Sequence, residues 1–309
     1  MNSPDRFDHF EGDMVSEARL LASIQSRMTA GEDVHVGPGD DAAVLARPSG
    51  PLIVSVDQCV EGLHFLPDTD LDSIGRKAVR RAAGDLAAMA ASPLGLVATA
   101  LLPSRFTQRE ALRLYESIRT EAESINCPLV GGDTSVWRKD LQGGLHLSVT
   151  VLGFTHHPVL RSTAQLGDRV CVTGPLGGSF VSGRHLSPPV RIREAMQLRD
   201  ELKVELHAMI DVSDGLGKDA LAIAMASRVR LHLHRESIPC HPGTSWKDAL
   251  QDGEDHELLF TVSPQADLSV IPFPTFEIGT VVGGQPGVEL VDENGGRTEV
   301  GHLGWNHGA

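Results

Sequence analysis

Apolar positions along this chain fall into short runs of two periods. Residues 42–45 and 52–56 are brief apolar runs separated by a turn at Pro48–Pro51, and they read as strands. Apolar and small residues at helical spacing predict helices over 16–28, 73–89 and 108–124, with Ser73 as the cap of the second. Residues 96–102 and 128–130 read as strands. Residues 145–154 alternate like a strand with one face solvated or covered by a partner. Residues 1–15 read as loose chain.

Residues 158–166 mark a boundary, giving expected domains of 1–157 and 158–309. Beyond it, elements are expected over 169–173, 190–201, 208–210, 215–227, 229–234, 245–251, 258–262, 277–282 and 288–291. They interleave without the regular spacing of a doubly wound sheet, and no internal repeat is visible. The fold class is α+β or mixed α/β.

Composition narrows the partners. The 309 residues are 41% hydrophobic and 22% charged, as in a globular protein, and only 4% aromatic, so the core is aliphatic. A formal net charge of −14 excludes nucleic acid and an anionic membrane surface as partners, because both demand a basic face. Cys59, Cys127, Cys171 and Cys240 are scattered without a paired spacing, which fits a reducing compartment better than disulfides or zinc. The start is polar and acidic, and the most apolar stretch, 86–102, is broken by Ser92, Pro93 and Gly95. A cytoplasmic protein with no membrane segment is expected.

Candidate chemistry lies in the aspartates. Asp40 and Asp41 precede the first apolar run and Asp57 is expected to close the second. Two carboxylates about 4 Å apart repel by roughly 4 kcal/mol at an effective dielectric of 20, so something positive must collect them. One Gly-Asp-Asp alone is ordinary turn chemistry. The pattern recurs, however, at Asp85 after Gly84, at Asp133 after Gly131-Gly132, and at Asp211 and Asp214 around Val212-Ser213. Short oxygen-only ligands on separate segments suit Mg²⁺, which keeps coordination places for phosphate oxygens.

Other motifs carry less. Gly37-Pro-Gly39-Asp-Asp-Ala42 approaches a dinucleotide fingerprint, but its aspartates stand where amides should face a pyrophosphate. Gly217-Lys218-Asp219 resembles the end of a P-loop and lacks both the upstream glycine and the following hydroxyl. His232 and His234 alternate on a strand without a third ligand, His156-His157 reads as loop, and no nucleophile elbow is present.

Taken in order, the motifs resemble thiamine-monophosphate kinase. They are Gly-Asp-Asp-Ala-Ala-Val-Leu at 39–45, Ser-Val-Asp at 55–57, Gly-Leu-His-Phe at 62–65, Gly-Asp-Leu-Ala-Ala-Met-Ala-Ala-Ser-Pro at 84–93 and Gly-Gly-Asp-Thr-Ser at 131–135. Ile-Asp-Val-Ser-Asp-Gly-Leu at 210–216, Gly-Glu-Asp-His-Glu-Leu at 253–258 and Gly-Trp-Asn-His at 304–307 complete the series. The resemblance implies an aminoimidazole ribonucleotide synthetase-like fold of two domains. The N-terminal domain binds metal and ATP and pairs its sheet in a homodimer, and a C-terminal α/β layer domain completes the site. It also implies ATP-dependent, Mg²⁺-assisted phosphorylation of thiamine monophosphate to thiamine diphosphate.

By the same resemblance Asp41, Ser55, Asp57, Asp85, Asp133, Asp211 and Asp214 fall on magnesium positions. Tyr115, Gly132, Asp133, Arg161 and Ser213 fall on nucleotide contacts, and His64, Glu254 and Trp305 on the thiamine phosphate. Asp57, Asp133 and Arg161 carry the catalytic weight, Arg161 as a phosphate grip. The chain departs from the pattern in places. Val56 replaces a hydroxyl residue and offers a metal only its carbonyl, His256 stands where Tyr is common, and 174–210 is short. An aminoimidazole ribonucleotide or selenophosphate synthetase-like enzyme, or a catalytically idle nucleotide- and metal-binding dimer, remains compatible with the same aspartates.

Overall fold

The computed structural model describes residues 14–25, 33–38, 40–141 and 143–306. The loose start expected over 1–13, the end of the first predicted helix, Gly39 and His307 lie outside the described residues. The chain divides into two compact units. Unit 1 comprises residues 1–82 and 93–156, and unit 2 comprises residues 83–92 and 157–309.

Up to residue 156 the order is α1 (Glu17–Gln25), β1 (Val34–Val36), β2 (Val44–Leu45), β3 (Leu52–Val60), α2 (Leu71–Ala88), β4 (Ser92–Leu102), α3 (Gln108–Ser124), β5 (Leu129–Val136) and β6 (His146–Phe154). β1 and β2 form a small antiparallel pair, and a four-stranded sheet runs β3-β6-β4-β5. β3 and β6 are antiparallel in unbroken register from Leu52↔Phe154 to Val60↔His146, whereas β4 and β5 are parallel.

Local rules explain the helices of this half. Thr107 caps α3 through the Glu110 N–H, and the Glu110 carboxylate returns to the Thr107 N–H at 2.7 Å. Ala111, Leu112, Tyr115, Ile118 and Ala122 then recur at helical spacing on the buried face. α2 starts at Leu71 rather than at the expected Ser73. Asp70 is its cap, accepting from the Ser73 N–H at 3.1 Å, and Ser73 itself lies in the first turn.

β3 runs past its expected end. Asp57 does not close the strand but sits inside it, opposite Val149 of β6. Alternation puts Ser55, Asp57 and Cys59 on one face. Leu52, Val54 and Val56 point from the other, 51%, 57% and 60% exposed. A row of exposed apolar side chains on an edge strand is unusual.

In unit 2, β7 (Arg169–Val172), α4 (Ile192–Leu202), β8 (Leu206–Asp211), α5 (Leu216–Ser227), β9 (Arg230–His234), α6 (Trp246–Gln251), β10 (Leu258–Val262), β11 (Phe276–Val282), β12 (Gly287–Val291) and β13 (Arg297–Glu299) follow in order. The sheet runs β13-β12-β9-β11-β7-β10-β8, antiparallel except for β12 against β9. Its core is aliphatic, with Leu216, Ala220, Ile223 and Ala224 of α5 packed among Val170, Ile210, Leu231, Leu259 and Val288. Among the described residues no helix is long and apolar enough to cross a membrane.

Candidate active site

In unit 1, β5 delivers Gly131, Gly132 and Asp133 alongside β4. Gly132 lies so close to its neighbour that a Cβ there would stand 2.0 Å from the Ala98 carbonyl oxygen, so no side chain fits. α1, β4, β5, the apolar face of α3 and the segment around Asp40–Ala43 enclose a cavity of about 500 Å³. Tyr115, Gly132, Asp133, Asp40 and Asp41 all line it. Among the described residues no cation pairs with Asp40, Asp41 or Asp133. Helix side chains make one part apolar, and the loop and β5 contribute carboxylates.

Asp57 Oδ1 lies 3.5 Å from Arg81 Nη2. Ser55 shares its face, and Val56 points the other way. His64 is buried in the turn after β3, which Gly62 makes possible at φ +81°. Its Nδ1 accepts from the Val60 N–H at 3.0 Å, and its carbonyl accepts from the buried Lys77 ammonium at 2.7 Å. The visible work of the His64 ring is therefore to pin its own turn.

Unit 2 gathers a second set. β8 ends at Asp211, and the next four residues turn into α5. Asp219, one turn into that helix, reaches back so that a single carboxylate oxygen accepts the N–H groups of Ser213, Asp214 and Gly215 at 2.9, 3.0 and 3.2 Å. Burial and the nearby charge of Asp211 push its carboxyl up to about 7 despite these donors. Lys218 joins the same loop to the chain's last described turn. Its ammonium lies 2.6 Å from Asp214 Oδ2 and donates to the Trp305 carbonyl at 2.6 Å, while the Trp305 N–H donates to the Asp214 carbonyl at 2.8 Å. The Trp305 side is 51% exposed.

Residues 253–257 pair with this turn. The Glu254 N–H donates to Ser213 O at 2.8 Å and the His256 N–H to Val212 O at 2.7 Å. Both residues adopt left-handed backbone, at φ +68° and +51°, which a non-glycine holds only where its surroundings dictate it. Side chains then alternate. Asp255 and Glu257 turn toward residues 173–191: Asp255 accepts from the Gly177 N–H at 2.8 Å, and Glu257 takes Arg191 in a two-pronged grip at 2.7 and 2.9 Å plus the Thr173 hydroxyl at 2.5 Å. Burial pushes the Asp255 carboxyl up to about 7.

The His256 ring turns the other way. Nδ1 lies 3.3 Å from Asp211 Oδ2, and Nε2 lies 3.6 Å from Glu254 Oε2. Burial works against the charged imidazole, but the hydrogen bond to Asp211 and the negative charges of Asp211 and Glu254 outweigh it and raise His256 to about 9. Gly84, next to Asp85 in the last turns of α2, packs on this pair, with space for a Cβ only 3.1 Å from Asp211 Oδ2 and 3.4 Å from His256 Nδ1. Arg161 stands apart on the exposed segment before β7. Its carbonyl accepts from Ser227 Oγ at 2.9 Å, and among the described residues no carboxylate pairs with its guanidinium.

Asp211, Ser213, Asp214, Glu254 and Trp305 are thus brought together, as are Asp41, Tyr115, Gly132 and Asp133. Asp219, Lys218 and Gly84, none of them given a site role beforehand, shape these groups. Among the described residues no three His, Cys, Asp or Glu side chains converge as a ready-made metal cage. The donors nevertheless fit Mg²⁺. They are oxygen-only, Asp40, Asp41 and Asp133 lack a counter-cation among the described residues, and this ion is normally held by one or two carboxylates together with substrate phosphates.

The fold identifies the class. The family model described as AIR synthase related protein, N-terminal domain, matches residues 39–155. The hydrogenase maturation protein HypE in complex with ATP shares the fold, with a TM-score of 0.78 over 97% of this chain and 98% of that one, at 20% identity. Within the class, thiamine-monophosphate kinase of Rhodopirellula baltica is 35% identical over 291 residues, covering 86% of this chain and 90% of that protein. The structure of AaThiL complexed with AMPPCP and TMP matches at 27% identity and a TM-score of 0.74, covering 94% and 95% of the two chains. The chain belongs to the thiamine-monophosphate kinase family.

Proposed function

We propose that this enzyme transfers the γ-phosphoryl group of ATP to a phosphate oxygen of thiamine monophosphate. The bond from Pγ to the bridging oxygen breaks, a new P–O bond forms on the acceptor phosphate, and thiamine diphosphate and ADP leave. The observation that carries this reading is the cavity of unit 1, where Tyr115 and Gly132 share one enclosure with Asp40, Asp41 and Asp133. In a −14 protein such a cavity attracts an anionic nucleotide only together with cations.

Mg²⁺, when bound, neutralises the phosphates and polarises the transferred group. Several such ions are called for: Asp41, Asp57 and Asp133, with Ser55 and the Val56 carbonyl as neutral donors, would hold them in unit 1, and Asp85, Asp211 and Asp214 would do so in unit 2. Tyr115, Gly132 and Ser213 position ATP, and Arg161 grips a phosphate. The acceptor oxygen is largely ionised near neutral pH, with a second pKa of about 6, so no side chain needs to remove a proton. ADP should appear with thiamine monophosphate and not with aminoimidazole precursors or selenide. ADP release with either of the latter overturns the assignment.

Glu254, Trp305 and His64 receive the acceptor. Trp305 is fastened through its backbone while half of it is exposed. Stacking of its indole on a cationic ring is worth about 0.5–2 kcal/mol, so Trp305→Ala should raise KM for thiamine monophosphate roughly 3- to 30-fold. KM for ATP and the melting temperature should hardly move. A joint rise in both KM values identifies Trp305 as a structural pin instead.

The exposed row Leu52, Val54 and Val56 on edge strand β3 supports a homodimer formed through unit 1. Val54→Glu should give a monomer in sedimentation at micromolar concentration, where the parent chain sediments as a dimer. A monomeric parent with full activity counts decisively against this. The acidic surface and the lack of a spanning helix among the described residues favour a cytoplasmic location.

A further inference from the structure

His256 is the one ring placed against two acids to which the reaction gives different tasks. Its side chain is 2% exposed, and its two nitrogens face Asp211 Oδ2 at 3.3 Å and Glu254 Oε2 at 3.6 Å. Nε2 has no hydrogen-bond partner among the described residues, and the Glu254 carboxylate, whose Oε2 is a buried atom, is its neighbour at ion-pair distance. The left-handed backbone at 254 and 256 turns both side chains away from the Arg191 and Gly177 anchors and toward β8. Gly84 packs on the Asp211–His256 contact, close enough that a Cβ there would crowd Asp211 Oδ2 at 3.1 Å.

We propose that His256 is a positioning residue that fixes the metal-ligand carboxylate of Asp211 through Nδ1 and the acceptor-binding carboxylate of Glu254 through Nε2. This rests on the roles given to Asp211 and Glu254 above. The physical reason is geometric. A carboxylate free to rotate presents its oxygens in many directions, and a donor against one oxygen selects the orientation of the other. A rigid ring whose two nitrogens each face a carboxylate oxygen fixes the two carboxylates relative to each other, which a single hydroxyl at this position could not do.

The two contacts can be removed one at a time. The amide nitrogen of Asn takes the place of Nδ1, and that of Gln takes the place of Nε2. Asn also tolerates left-handed backbone well. His256→Gln, which loses the Asp211 contact, should weaken Mn²⁺ binding followed by electron paramagnetic resonance by about tenfold, with dissociation of thiamine monophosphate changed less than about twofold. His256→Asn, which loses the Glu254 contact, should do the reverse: Mn²⁺ affinity stays near that of the parent, and the acceptor's dissociation constant rises about tenfold. Gly84→Ala provides a check without altering the ring. Its Cβ would stand 3.1 Å from Asp211 Oδ2 and 3.4 Å from His256 Nδ1, on the Asp211 end of the ring and away from Nε2, so it should weaken Mn²⁺ several-fold and spare the acceptor.

Equal losses in both affinities for both His256 variants overturn the proposal and make the ring a packing element. If His256→Gln fails to fold, an unchanged Mn²⁺ affinity in Gly84→Ala does so as well. The Mn²⁺ arm uses no thiamine compound. A parent protein that turns over no thiamine monophosphate therefore sinks the functional reading and leaves this test standing.

Discussion

Asp133→Asn is expected to lower turnover by about a hundredfold or more while the protein stays folded. The residue ends a run of glycines on β5, faces the unit 1 cavity with Asp40 and Asp41, and has no cation partner among the described residues. Removing its charge relaxes a local repulsion, so stability should rise slightly or stay level. The transferred phosphoryl group, in contrast, loses part of a metal-held neutralisation worth several kcal/mol. Asp57→Asn should act in the same direction, and it also frees Arg81 from its 3.5 Å contact. Chelation of divalent ions should abolish activity in the parent, and Mn²⁺ should restore it. Steady-state assays across a Mg²⁺ titration decide the matter, and near-parental turnover in both variants removes the metal assignment.

Arg191→Met should produce the largest loss of stability among single substitutions near the site. Glu257 is only 5% exposed as a residue and is paired with Arg191, which holds both of its oxygens from the start of α4. Breaking a buried pair from one side leaves an uncompensated carboxylate, at a cost of about 3 kcal/mol after allowance for the partly exposed guanidinium. Denaturant unfolding measures this. Glu257→Gln in the same chain should return much of the loss, because it removes the orphaned charge. An Arg191→Met variant as stable as the parent would show that the pair contributes nothing. Activity should fall with the single substitution, since Glu257 neighbours His256 in the same loop.

Elements governed by local rules were legible beforehand. The bounds 108–124 and 258–262 coincide with α3 and β10, because a capping box marks the start of one and a run of buried apolar residues spans the other. What depended on distant partners was not. β3 continues through Asp57 because β6 pairs with it as far as His146, and nothing within 52–60 announces that register. The Val-His-Val of β1 is too short for its alternation to be read, and the fully exposed β13 carries no apolar pattern. Lys218 looked like the remnant of a failed P-loop, and its partners, Asp214 and Trp305, show a different use.

The candidate site divides in the same way. The aspartates were visible as repeated Gly-Asp and Asp-x-x-Asp signals. The left-handed turns at Glu254 and His256, which decide what those side chains face, were not, since neither residue type favours that backbone. Asp219 offers one weak signal, an acid in the first turn of a helix that follows Asp-Gly. Such a residue is positioned to cap its own loop.

The way Trp305 is tied down also sets an order of events during synthesis. Asp214, Lys218 and Trp305 hold one another across 87 residues of sequence, and Asp211 meets His256 across 45. Contacts of such separation form late, after nearby ones have reduced the entropy of closing the loop. On a ribosome the sheet of unit 1 has all of its strands by residue 154, whereas the Asp214 turn cannot receive its last hydrogen bonds until residue 305 has emerged. A nascent chain therefore carries the carboxylates of the unit 1 cavity well before the acidic Asp214 turn of unit 2 is secured.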